Sequence, residues 1–150
     1  QRLGDILQLS RHDLQIRGQF LTITMRRGKV IPHIGPYVLS IDKDLPLAQS
    51  LWRLRELRST FLWTATNSTR ERDSVEETIR HYLRKIDQRL EIRSIRRGGL
   101  QRMAMQGIPL ETIIFFSKHQ SMMMLLRYLD WGAAAVDRNT QMAAVVRMLI

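Results

Sequence analysis

Residues 95–128 read IRRGGLQRMAMQGIPLETIIFFSKHQSMMMLLRY. Ser94 is placed to cap a helix, and Gly107 to stop it, because glycine enters the left-handed conformation that closes a helix without a Cβ clash. Pro109 then opens a second helix to about Ser117, since the first turn does not use the N–H that proline lacks. Ser121 caps a third, which the pattern carries through Tyr128 to Trp131, with Gly132 closing it. The methionine run 122–124 reads as core packing. Three helices joined by tight corners make this half of the chain helical.

Upstream the pattern changes. Leu3, Ile6 and Leu7 suit a short helix over residues 3–9. Leu14 and Ile16 alternate with polar neighbours, and residues 20–25 (FLTITM) are rich in β-formers. Gly28 marks the turn that follows, and Pro32, Gly35 and Pro36 punctuate the return to a third strand at 37–41. Lys29 then lies beside a hairpin turn. Pro46 starts a helix to about Arg58 with Leu47, Leu51, Leu54 and Leu57 as its apolar stripe. Residues 61–64 suit a short extended piece and 67–73 a polar loop. Ser74 and Glu77 form a capping box that starts a helix to about Ile86. A last helix is expected over 140–150, with Met142, Val145, Val146 and Leu149 as a docking face for a neighbouring subunit or for its own domain. The expected fold is mainly α with a small antiparallel three-stranded sheet, in one domain.

The 150 residues carry 24 Lys and Arg against 14 Asp and Glu, a net charge of +10. Only four of the cations are lysines (Lys29, Lys43, Lys85, Lys118), so arginine supplies the excess. Arginine grips a phosphate through parallel hydrogen bonds, and such a surplus suits a polyanion. With no cysteine there can be neither disulfides nor thiolate metal sites. His12, His33, His81 and His119 show no helical zinc spacing. The apolar run 122–126 ends at Arg127, so no membrane helix is expected.

Residues 95–128 resemble the C-terminal half of the tyrosine recombinase catalytic domain. The family pattern is His-x-x-Arg at a helix start, a Gly-Val/Ile-Pro turn, Gly-His or Gly-Trp, and then the nucleophilic Tyr. Arg96 falls at the second arginine, Gly107-Ile108-Pro109 at the turn, His119 at the His/Trp position and Tyr128 at the nucleophile, nine residues after His119. Upstream, QRLGDILQL resembles the Arg-x-x-Glu box, with Arg2 as the first arginine and Asp5 in the acidic position. Lys29 falls where the family keeps a hairpin lysine. Two residues depart from the pattern: Arg93 stands for the family His, and Lys118 for the Gly before His119. Type IB topoisomerases resemble this set too and place a lysine at the Arg93 position. Arginine keeps charge there but cannot relay a proton.

The resemblance implies a DNA breaking-and-rejoining core of a recombinase or mobile-element integrase. Residues 1–150 would be its catalytic domain, slightly truncated at the N-terminus and without the upstream core-binding domain. It further implies duplex DNA as partner, a homo-oligomer (a tetramer on paired sites) in the full-length protein, no metal or cofactor, no membrane, and an intracellular, DNA-associated setting. Tyr128 would attack the phosphate to give a 3′-phosphotyrosyl link. Arg2, Arg96 and Arg93, with His119, would hold the non-bridging oxygens, and Lys29 would protonate the leaving 5′ oxygen if burial and nearby cations favour it. The alternatives are a topoisomerase that relaxes supercoils and a catalytically impaired DNA-binding remnant. Each residue also has a plainer reading: Tyr128 and His119 as core side chains, Arg2, Lys29 and Arg93 as solvated charges, and Asp5 as a structural partner of a nearby cation or a helix cap. Arg84, Arg89, Arg97 and Arg102 suit DNA phosphates or a solvated helix face equally.

Overall fold

Alternation of apolar and polar residues builds the sheet. A computed structural model describes residues 2–129 and 147. Strands β1 (Leu14–Arg17), β2 (Phe20–Met25) and β3 (Tyr37–Asp42) pair antiparallel in the order β1-β2-β3. The register sets Leu14 against Ile23 and Ile16 against Leu21, then Leu21 against Ile41 and Ile23 against Leu39. Cross-strand partners share a face, so these residues form one apolar side. Gly18, at φ +58°, takes the first position of the two-residue β1–β2 turn, where a positive φ matches the strand twist.

The contacts divide the chain into two compact units, Arg2–Ile92 and Arg93–Ile150 (with residue 1). The first contains α1 (Leu3–Ile6), the sheet, α2 (Ile31–Ile34), α3 (Pro46–Leu57) and α4 (Thr69–Ile86). Its core joins Leu9, Leu14, Leu21, Ile23, Met25, Ala48 and Leu62. Burial of each such leucine contributes about 1.5–3 kcal/mol. Residues 60–62 run extended beside 9–11: Leu62 N–H donates to Leu9 O at 3.0 Å and Arg11 N–H to Thr60 O at 2.7 Å.

Helix α3 ends as its sequence suggests, but its packed face is different. Leu47 and Leu57 are 62% and 76% exposed, while Ala48 is buried and Leu51, Trp52 and Leu54 pack on the core. Arg55 continues that face. Its Nε donates to the carbonyls of Arg11 and Leu14, both at 3.1 Å, and its guanidinium lies 4.5 Å from the Trp52 ring centroid. The leucine stripe thus gives way to an arginine that satisfies backbone acceptors where β1 begins.

The cap of helix α4 is Ser68, six residues before the expected Ser74. Ser68 Oγ accepts from Glu71 N–H at 3.2 Å, and the Glu71 carboxylate accepts from Ser68 N–H at 3.3 Å. The chain holds two Ser-x-x-Glu boxes, and the upstream one prevails because Thr66 adds two donors to Glu71, at 2.9 and 2.7 Å. Residues 69–73 are therefore helix and not loop, and Ser74 lies inside it.

The second unit contains α5 (Ile92–Met105), α6 (Leu110–Ser117) and α7 (Met122–Tyr128). Helix α5 begins two residues before Ser94, so Ser94 is not its cap. Its end is a Schellman closure: Ile108 N–H donates to Met103 O at 3.1 Å and Gly107 N–H to Ala104 O at 3.0 Å, with Gly107 at φ +79°. Pro109 precedes α6, and Ser121 Oγ caps α7 by accepting from Met124 N–H at 3.3 Å. Leu100, Leu110, Ile113, Leu125 and Leu129 form the core. Of the methionine run only Met122 packs there; Met123 is 62% exposed and Met124 38%. The helical period turns those two away from the leucines. Trp131, Gly132 and the expected helix over 140–150 lie outside the described residues, residue 147 excepted. Among the described residues no helix is long and apolar enough to cross a membrane.

Candidate functional site

In the first unit, two buried carboxylates hold the segment that carries Lys29. Asp5, on α1, is buried, and its Oδ1 accepts from Lys29 N–H at 3.2 Å. Gly28 permits this approach. At φ +134°, a Cβ on Gly28 would stand 2.6 Å from Asp5 Cγ. Asp13 anchors the preceding residues: it accepts from Ser10 N–H (2.8 Å), Ser10 Oγ–H (2.9 Å) and Arg26 Nε–H (3.1 Å), with Arg27 Nη1 3.7 Å away. Arg27 Nη1 also donates to Gln8 O at 3.2 Å.

The connection from β2 to β3 is longer than a hairpin tip. Pro32, in the first turn of α2, and Gly35, at φ +76°, fold residues 31–34 into one helical turn. The Lys29 side chain is exposed, in contrast to the burial expected of a proton donor, and its neighbours Arg26 and Arg27 are paired with Asp13. Arg2 stands at the N-cap of α1 and is half-buried. Its Nη1 is shut off from solvent and has no hydrogen-bond partner among the described residues. A buried charged donor left this way is costly, and an anion would relieve it. Asp5 therefore acts as a backbone anchor, and Arg2, Asp5 and Lys29 are gathered in one unit.

In the second unit, Arg96 and His119 are joined through Ser117. Arg96 Nη2 donates to Ser117 O at 2.8 Å, and Ser117 Oγ lies 2.6 Å from His119 Nδ1. Ser117 is 1% exposed and His119 9%. Lys118 brings the two together. It caps α6 in the left-handed conformation, φ 57° and ψ 38°, and this reversal lets side chains two positions apart meet. Glycine would meet the positive φ at this position without strain. Lysine tolerates it at a cost, with its Nζ 4.0 Å from the Phe115 ring centroid. Arg93 lies three residues before Arg96 on α5 and is exposed. Tyr128 is the last residue of α7.

Two residues of these clusters carry no signal of their own in the motif reading. Ser117 occupies an apolar helix and shows its role only once Lys118 reverses the chain. Asp13 sits three residues after Ser10, a capping spacing, and that spacing is the available clue. A cleft of about 380 Å³ in the first unit, lined by Ile16, Leu21, Lys43, Trp52 and Arg53 among others, contains none of the expected site residues. Among the described residues no three His, Asp or Glu gather as a metal would require. Comparison with protein-family models, curated proteins and solved structures finds no match to this chain.

Proposed function

We propose that this chain is a DNA breaking-and-rejoining domain of the tyrosine recombinase type, acting through a covalent 3′-phosphotyrosyl intermediate. The observation that carries the reading is the Arg96–Ser117–His119 chain. It gathers, in one corner of α5 and α6, the residues at the motif's second arginine and its histidine. The buried Arg2 Nη1 adds an unsatisfied cationic donor of the kind a phosphate oxygen accepts from. The +10 net charge supplies long-range attraction for duplex DNA.

In this reaction the Tyr128 oxygen attacks phosphorus, the P–O5′ bond breaks, and the leaving oxygen takes a proton. Tyrosine's reference pKa is about 10, so its proton must leave as the bond forms. Arg2, Arg96 and His119 are assigned to the non-bridging oxygens, where each fixed donor is typically worth about 2.7–4 kcal/mol. Arg93 adds charge from its exposed position. Lys29 is assigned to the leaving oxygen, on a loop that DNA can reach because its side chain is exposed. The link to tyrosine conserves the phosphodiester's bond energy, so a DNA hydroxyl can reverse the step.

The test is a pool of duplexes nicked beside candidate scissile phosphates, with adduct read on denaturing gels. A covalent protein–DNA band from the parent, lost in Tyr128→Phe, is the expected result. Salt-sensitive DNA binding with no adduct from any duplex would replace this reading with that of a non-catalytic remnant. Relaxation of supercoiled plasmid lacking a paired site would favour the topoisomerase activity.

A further inference from the structure

We infer that Ser117 is a positioning residue that sets the tautomer of His119, so that the imidazole offers a phosphate oxygen an N–H and not a lone pair. This rests on the phosphoryl-transfer reading above for its purpose, but its structural core stands on local geometry. A serine hydroxyl has one proton to give. Among the described residues, two acceptors lie near Ser117 Oγ: His119 Nδ1 at 2.6 Å and Ile114 O at 3.4 Å. The second distance exceeds the ordinary 2.5–3.0 Å range for hydroxyl donors. The proton therefore belongs on the bond to His119. Because Ser117 is 1% exposed, water does not compete for it.

A neutral imidazole that accepts at Nδ1 carries its own hydrogen on Nε2. Phosphate oxygens accept hydrogen bonds and do not donate them, so only this tautomer can bind one while the ring is neutral. The opposite tautomer would direct a lone pair at an anionic oxygen, which cannot donate to it. Two other features hold Ser117 to the task. Arg96 Nη2 fixes its carbonyl at 2.8 Å, and the left-handed Lys118 turns the chain so that residues 117 and 119 meet. The same arginine assigned to the phosphate thus also braces the serine that orients the histidine.

The full chain labelled with ¹⁵N-histidine tests this directly, since it holds only four histidines. His119→Gln identifies the His119 signals. Above the usual imidazole pH range, long-range ¹H–¹⁵N spectra should show His119 with its hydrogen on Nε2. Ser117→Ala should release it to a mixture of tautomers, and Ser117→Thr should restore the parent pattern. In the adduct assay Ser117→Ala should slow covalent capture about 10- to 100-fold, the loss typical when a residue orienting a metal-bound histidine is removed, whereas Ser117→Thr should stay near the parent. A parent spectrum with the hydrogen on Nδ1 overturns the inference, even if Ser117→Ala fails to fold. So does an unchanged Ser117→Ala spectrum. The expected spectra with no adduct from any duplex would leave the tautomer assignment intact and overturn the catalytic reading alone.

Discussion

The Lys29 loop and the α5–α6 corner hold their candidate residues by opposite means. In the first, carboxylates hold the backbone and the flanking arginines: Asp5 takes the Lys29 N–H, Asp13 takes Arg26 and Arg27, and the Lys29 ammonium remains exposed. In the second, the candidate side chains are themselves the braces, with Arg96 on Ser117 O and His119 on Ser117 Oγ. A side chain that holds nothing can be changed without loosening its surroundings. One that is part of the brace cannot. Structure and function should therefore separate at Lys29 and stay entangled at Arg96.

The largest effect on this contrast is expected from Gly28→Ala. The residue sits at φ +134°, and the added Cβ would stand 2.6 Å from Asp5 Cγ. Backbone strain of this kind costs about 1–3 kcal/mol, and displacing a buried carboxylate adds to it. Chemical denaturation in a Trp131→Phe background, followed by Trp52 and Trp63 of the first unit, should show a loss of about 3 kcal/mol. A loss below about 0.5 kcal/mol, the range of ordinary surface changes, would mean that Asp5 does not hold the loop.

Next in size is the paired comparison of Arg96→Ala with Lys29→Ala. Removing the guanidinium takes a charge-assisted hydrogen bond from the carbonyl of the buried Ser117, for a destabilisation of about 1–2 kcal/mol. Lys29→Ala should change stability by less than about 0.5 kcal/mol while lowering adduct formation. Hydrogen exchange on each unit measures both. Equal destabilisation by the two variants would erase the proposed difference.

Lys118→Gly should leave stability nearly unchanged. A non-glycine residue in the left-handed region costs about 1–2 kcal/mol. Glycine recovers part of this, less about 0.4–1 kcal/mol for the greater freedom of its unfolded chain and about 0.5–1 kcal/mol for the lost contact with Phe115. These terms nearly cancel, so a change within about 0.5 kcal/mol in either direction is expected in thermal or denaturant unfolding, with the His119 tautomer unchanged.

These residues also show what the sequence discloses and what it hides. Strand alternation, Gly107 as a helix stop and Ser121 as a cap are local rules, and the backbone follows them. The start of α4 was hidden because two identical capping boxes compete, and the choice rests on Thr66, which lies outside both. The packed face of α3 was hidden because Arg55 earns its place by reaching carbonyls more than 40 residues earlier in the chain. At the candidate site, the sequence made Arg96 and His119 legible as candidates. The brace through Ser117 was not, because it depends on a backbone reversal at a lysine, a residue that seldom adopts it.

The smallest expected effect concerns Glu71, which repeats the carboxylate-on-backbone device at an exposed helix start. Hydrogen bonds from the Thr66 hydroxyl first, then from the Thr66 N–H and from Ser68, hold its carboxyl below the usual glutamate range. A carboxylate whose folded pKa is depressed stabilises the fold fully above its unfolded pKa, near 4.3. That contribution is lost as pH falls through the lower, folded value. Amide exchange at Thr66, Ser68 and Glu71 should therefore stay protected at neutral pH and open as the solution is acidified below that range. Glu71→Gln, which keeps an acceptor but no charge, should flatten the dependence. The Asp5 anchor is shut off from solvent where Glu71 is not, so salt should weaken protection at α4 and leave the Lys29 amide unaffected. If salt loosened both equally, burial would not be what distinguishes the two carboxylates, and the Lys29 loop would be held no more firmly than an exposed helix end.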